Sequence, residues 1–181
     1  MATNVEIRPL TREDDRREFS CGQPELDRFF GHYAGQNQFK LELSVTYVAV
    51  AGSRIVGFAT ISVGTLERDL IPSARLRNRL PAYPVPILRL ARLGVDLRAQ
   101  DMGIGGSLVR HVLRLAVEQR EKLGCVGVVV DAKSDAMPFY EKLGFVPFDA
   151  REGALSSEPQ PLFLALQSIH WLKSVGAVRL V

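Results

Sequence analysis

Apolar and polar residues alternate over Val5–Leu10, a period-2 pattern that predicts a short strand, and Pro9 places it at a sheet edge. Thr11 and Asp14, three apart, resemble a capping box, so the mixed-charge run Arg12–Glu18 reads as a solvated helix face. Pro24 and Glu25 suit the first turn of a second helix, on which Leu26, Phe29, Phe30 and Tyr33 recur at helical spacing as core residues. Ser44–Val50 and Ile55–Val63 are rich in β-formers, and residues 51–54 between them predict a hairpin loop. Thr65–Pro86 reads as a long connection. Periodicity alone leaves Ile87–Val95 as strand or helix; Pro84, Pro86 and Gly94 favour a strand, in which Arg89 and Arg92 face opposite sides.

The strongest helical signal is Ile104–Leu123. Ile104, Leu108, Val112, Leu115 and Ala116 form an apolar stripe, and Arg110, Arg114, Glu118 and Glu121 form the opposite face. Gly124–Val130 is nearly all apolar, as in a strand buried on both faces. Asp135–Leu143 predicts a short helix with Pro138 in its first turn and Gly144 as its C-cap. Phe145–Phe148 and Leu162–Leu166 complete the strands. A block of strands followed by alternating strands and helices predicts an α+β fold, or α/β, with a mixed sheet.

Composition narrows the class. The chain has 181 residues, 46% of them hydrophobic and 24% charged, which suits one globular domain and excludes a disordered or collagen-like chain. Two cysteines, Cys21 and Cys125, make no disulfide framework; both read as structural thiols in a reducing compartment. The first residues contain no apolar signal core, and no run approaches the roughly 18 apolar residues of a membrane span, so the expected address is cytoplasmic. His32, His111 and His170 lack metal-ligand spacing, so no metal is expected. Basic residues are skewed to 18 Arg against 5 Lys at a net charge of +3. Recognition of phosphate by planar guanidinium groups explains such a skew. Codon bias explains it equally well.

The most informative stretch is Arg98–Ser107, a glycine-rich turn that follows a predicted strand and opens the strongest helix. Unpaired N–H groups and the helix dipole make such a turn an anion site, so a phosphate or pyrophosphate is the expected ligand. No lysine occurs between Lys40 and Lys122, which removes a P-loop. Gly103-Ile104-Gly105 lacks the third glycine of the dinucleotide fingerprint. After the next strand, Phe139 and Tyr140 sit on the short helix, where a tyrosine hydroxyl either packs or donates a proton.

Gln100-x-x-Gly103-x-Gly105 and Ala136-x-x-Phe139-Tyr140-Glu141-Lys142-Leu143-Gly144-Phe145 together resemble the two signatures of the GNAT N-acetyltransferases. The likeness runs from about residue 5 to 166 of a single domain spanning 1–181, leaving the tail 167–181 without an assigned role. A narrower resemblance, to the GNAT toxins of bacterial toxin–antitoxin modules, rests on Cys21-Gly22, Leu26-Asp27-Arg28-Phe29, Ser44-x-Thr46-Tyr47-Val48, Pro81-x-Tyr83-Pro84-Val85-Pro86 and Arg92-Leu93-x-Val95-Asp96. Two departures stand out: Gly94 where alanine is usual, and Asp101-Met102 where the loop commonly carries a base.

The resemblance implies a central, mostly antiparallel sheet of six to seven strands, splayed at the cofactor site and flanked by about four helices. It also implies acetyl-CoA as donor. Met102, Gly103, Ile104, Gly105, Gly106 and Ser107, with Gln100, Asp101 and Phe139, would bind that cofactor, while Leu93 and Val95 would hold its pantetheine arm and polarise the thioester. Tyr140 would be the general acid. Neither signature holds an obvious His or Glu base, which favours an α-amino acceptor, already partly neutral near pH 7, over a lysine. The toxin likeness implies acetylation of aminoacyl-tRNA and a block of translation, with Arg75, Arg77, Arg79, Arg89 and Arg92 as RNA contacts. A small-molecule amine or a protein N-terminus, without a toxin role, is the alternative acceptor. A ribbon-helix-helix antitoxin and a second copy of the chain are the further expected partners.

Overall fold

The computed structural model describes residues 4–148 and 159–169. His170 and the tail beyond it lie outside the described residues. The strand order is β1-β2-β3-β4-β5-β7-β6, and the pairs β1–β2, β2–β3, β5–β7 and β6–β7 run antiparallel, in a mixed α+β fold with a seven-stranded sheet. By internal contacts the chain divides into two compact units, residues 1–63 with 90–112 and residues 64–89 with 113–181.

In the first unit, β1 (Val5–Pro9) pairs with β2 (Val45–Ala51), which forms a hairpin with β3 (Arg54–Leu66). Edge placement of Pro9 matches its missing donor. The helix expected after Thr11 does not form. Asp14 Oδ2 does accept from the Thr11 amide (2.8 Å), as a capping box requires. The same carboxylate, however, is held by Arg8 at 2.7 and 2.8 Å, and residues 12–18 form two short turns, at 12–13 and 17–18, with irregular chain between them. An ion pair to β1 thus outcompetes a helix that has no apolar face to bury. The next helix does form, as α1 (Pro24–Arg28), a π-helical turn (Phe29–Tyr33) and α2 (Ala34–Phe39). Phe30 on that segment is fully buried and stacks on Phe58 with centroids 4.3 Å apart, while Phe19 meets both rings edge-on. The expectation of core packing fails at Tyr33, which is 42% exposed.

β4 spans Val85–Val95, and its Leu90–Val95 half belongs to the first unit. A Cβ on Gly94 would sit 2.6 Å from Cε1 of Phe58, so the ring of β3 occupies the space that an alanine methyl would need. Helix α4 (Ile104–Lys122) approaches as closely: a Cβ on Gly57 would meet Ile104 Cγ2 at 2.9 Å and Leu108 Cδ1 at 3.0 Å. Ile104, Leu108, Val109 and Val112 are buried by this approach, which places the first turn of α4 just past the end of β4.

In the second unit the long connection is not bare. It carries a 3-10 turn (Arg68–Leu70) and α3 (Ala74–Arg77), whose Ser73 hydroxyl caps the Leu76 amide. Ile71 and Leu76 pack with Val85, Ile87, Val129 and Phe163. β5 runs Gly127–Ala132, three residues later than its apolar pattern suggests, because Val126 N bonds to Pro86 O outside the ladder. Helix α5 (Met137–Lys142) follows, then β6 (Val146–Pro147) and β7 (Gln160–Ala165).

The Gly94–Phe58 contact gives a test. Gly94→Ala is expected to cost about 1–3 kcal/mol in urea unfolding, and Phe58→Leu in the same chain to recover part of that loss. Equal stability of Gly94→Ala and wild type would contradict the close approach.

Candidate functional site

The first unit carries the glycine turn. β4 ends at Val95, and Asp96 caps the 3-10 turn Leu97–Ala99 that leads into it. The Asp96 carboxylate is buried and accepts from the Arg98 amide (2.9 Å), Arg98 Nε (2.8 Å) and Arg98 Nη2 (2.9 Å). The Asp96 amide donates to Val56 O at 2.9 Å, which ties the turn to β3. Arg98 holds the carboxyl below the usual carboxylate range, at about 2.

A second carboxylate braces the same turn. Asp27 on α1 accepts from Ser20 Oγ (2.9 Å) and the Cys21 amide (2.7 Å). The strand of chain it fixes then reaches the loop: Leu97 N donates to Ser20 O (2.9 Å), and Gln100 Nε2 donates to Cys21 O and Val95 O, each at 3.2 Å. Gln100 therefore spends its amide on shaping the loop. Burial, with Asp27 nearby, pushes the Cys21 thiol up to about 11, so it stays protonated and inert at neutral pH. Sequence reasoning passed over the positioning role of Asp96 and Asp27, because a carboxylate's partners lie far along the chain. Both do stand inside the quoted signatures.

Beyond Gln100 the backbone turns sharply. Asp101 and Gly103 have φ of 63° and 77°, the left-handed region that glycine enters without penalty. A Cβ on Gly103 would meet nothing within 4 Å, so the backbone there is open to a ligand. Ser107 N makes the first bond back, to Gly103 O at 3.1 Å, which leaves the amides of Gly103, Ile104, Gly105 and Gly106 without intrahelical acceptors. Four such donors at the positive end of a 19-residue helix suit a pyrophosphate. Leu93 and Val95 are half-buried on β4, Met102 is exposed, and Asp101 and Ser107 are exposed at the turn. The residues present thus fit the phosphate part of acetyl-CoA.

The second unit carries Tyr140 on α5. Its ring lies between Phe139 (5.0 Å) and Phe145 (5.5 Å), both edge-on, and Phe145 N donates back to Tyr140 O at 3.1 Å. The ring is buried and, among the described residues, nothing hydrogen-bonds its hydroxyl. Burial raises the phenol above its ordinary value, so it is protonated throughout the neutral range. The five arginines differ in what they touch. Arg77 donates to Ile71 O, Arg89 pairs with Asp131 at 2.7 Å, and Arg92 in the first unit lies 5.3 Å from the Phe29 ring. Arg75 and Arg79 are exposed and, among the described residues, carry no ion pair.

The family model for acetyltransferase (GNAT) domains matches residues 42–147. A tRNA-acetylating toxin of Mycobacterium tuberculosis is 32% identical over 139 residues, 76% of this chain and 82% of the relative. The structure of AtaT complexed with acetyl-methionyl-tRNA has a TM-score of 0.82 at 26% identity, covering 94% of this chain and 99% of that one. AtaTR bound with AcCoA has a TM-score of 0.75 at 27% identity, covering 93% and 98%.

Asp96 sets a pH dependence. With its carboxyl held near 2, its ionised form stabilises the fold fully above about pH 4, and that stabilisation fades as the pH falls from about 4 towards 2. Asp96→Asn should lose about 1–3 kcal/mol at pH 7, and its gap from wild type should narrow by pH 3 in urea titrations. A gap independent of pH would assign Asp96 no ionic role.

Proposed function

This chain belongs to the GNAT acetyltransferase family and draws its acetyl group from acetyl-CoA, and from that premise we propose that its acceptor is the amino group of an aminoacyl-tRNA. Acetylation there blocks translation, so the protein acts as a toxin. The observation that carries this reading is the likeness to AtaT, seen with acetyl-methionyl-tRNA, over 94% of this chain. Both substrates of the proposed reaction are cytoplasmic, which supports a cytoplasmic address. Among the described residues no helix is long and apolar enough to cross a membrane. A ribbon-helix-helix antitoxin is the expected partner that holds such a toxin in check.

Acetyl-CoA supplies an activated thioester. The residues of this chain position it and manage charge. The amides of Gly103 to Gly106 bind the pyrophosphate, on a loop whose shape Gln100, Asp96 and Asp27 maintain. The missing loop base at Asp101-Met102 leaves phosphate binding to these backbone donors. The β4 edge at Leu93 and Val95 takes the pantetheine arm, and a backbone N–H near Val95 polarises the thioester carbonyl. The attacking amine must be neutral; an α-amino group, with a pKa of about 7.7–8.0, reaches that state more readily than a lysine at about 10.4. Tyr140 holds its proton at neutral pH and gives it to the departing thiolate, while Phe139 and Phe145 fix the ring.

Two measurements test the reading. Tyr140→Phe keeps the ring packing and should lower kcat by roughly 10²–10⁴-fold with little change in the Kd for acetyl-CoA; an unchanged kcat would remove Tyr140 as the acid. Labelled acetyl-CoA incubated with bulk charged tRNA should put label on aminoacyl-tRNA. Label on a small amine or a protein N-terminus instead, with none on any charged tRNA, would replace this reading by the alternative acceptor.

A further inference from the structure

The π-helical turn Phe29–Tyr33 explains what its sequence neighbours do. A π turn bonds i to i+5, here Ala34 N to Phe29 O, and so brings residues five apart onto one side. Arg28 and Tyr33 are such a pair: the Arg28 guanidinium carbon lies 5.9 Å from the Tyr33 ring centre, and Arg28 Nη2 donates to the Tyr33 hydroxyl at 3.4 Å. In a regular α-helix only residues three and four apart are neighbours, and the pair would separate. Phe29, four before Tyr33, carries a second guanidinium, that of Arg92, at 5.3 Å, and Arg92 Nη1 is steadied by Ala91 O at 2.7 Å. Arg28, Arg92 and Tyr33 are exposed, and among the described residues neither arginine has a carboxylate within ion-pair distance. Between them Gly31 is open, with nothing within 4 Å of where its Cβ would stand.

Guanidinium planes and aromatic rings stack on nucleobases, and the same guanidinium groups attract phosphates. Only unpaired bases offer their faces, so the partner must be single-stranded. Resting on the aminoacyl-tRNA reading above, we infer that Arg28, Tyr33 and the Arg92–Phe29 pair form a stacking platform for the single-stranded 3′ end of the RNA acceptor. This shifts part of the expected RNA contact from the arginines of residues 75–89 to the first unit. Arg77 and Arg89 already hold partners within the protein, whereas Arg28 and Arg92 are held over aromatic rings.

The test compares two acceptors, bulk charged tRNA and a simple amino-acid ester that carries the α-amino group without RNA. Arg28→Ala, Tyr33→Ala and Gly31→Glu should each raise the KM for charged tRNA on the order of tenfold. Turnover of the ester and the Kd for acetyl-CoA should stay at wild-type values, and Tyr33→Phe, which keeps a stacking face, should behave nearly as wild type. Arg28→Ala should also flatten the salt dependence of tRNA binding by about one unit of log–log slope. Unchanged tRNA kinetics in all three variants would overturn the platform and leave the tRNA reading standing. Equal loss on tRNA and ester would assign these residues to the fold and also overturn it. A wild-type enzyme that acetylates the ester but no charged tRNA would overturn the tRNA reading itself.

Discussion

Close approach of three elements at two glycines is the constraint on which the rest of the first unit depends. Gly57 lets Ile104 and Leu108 of α4 lie directly on β3, and Gly94 lets the Phe58 ring lie on β4. Interiors at crystal-like packing density have no slack to absorb a methyl group at either place. With α4 pressed onto the strands, its amino end has one position, immediately after β4, and the four unpaired amides of Gly103 to Gly106 are aimed by packing. The departure from alanine at Gly94 follows from the same contact: Phe58 also anchors the Phe19–Phe30 aromatic cluster, so its ring is not free to yield.

Packing sets the helix; two hydrogen-bonded carboxylates, one buried and one half-buried, set the loop. Asp96 draws the chain into its turn through Arg98, and Asp27 fixes residues 20 and 21 so that their carbonyls receive Leu97 N and Gln100 Nε2. Each is a charged acceptor with several donors, an arrangement worth more than a neutral hydrogen bond and costly to break on one side only. The loop can therefore hold left-handed geometry at Asp101, a residue that bears some strain there, before any ligand arrives. Preorganisation of this kind would keep the cost of shaping the proposed phosphate site within folding and outside the binding step.

The two units carry different kinds of group. The first contributes backbone donors and polar braces, all on a rigid framework. The second contributes one phenol in an aromatic cage, with its proton secured by burial. Its exposed Arg75 and Arg79, and in the first unit Arg28 and Arg92 held over aromatic rings, are the cationic groups offered to the proposed polyanionic acceptor.

The amino-acid pattern by itself determined the strand block, α4, the glycine turn and the Phe139–Tyr140 helix, because each depends on local period or on residues adjacent in the chain. It also identified the family, since both signatures are short and contiguous. Other features depend on partners distant in sequence, and only the tertiary structure decided them. Asp14 looks like a helix cap until Arg8 claims it. β5 starts late because Val126 bonds to Pro86, and the Gln100 side chain is tied to the loop because Cys21, 79 residues earlier, offers a carbonyl. Tyr33, spaced like a core residue, is carried to the surface by a π turn that no hydrophobic periodicity records. Local period reports which face of a segment is apolar; which hydrogen-bond donor meets which acceptor is settled only when the segments pack.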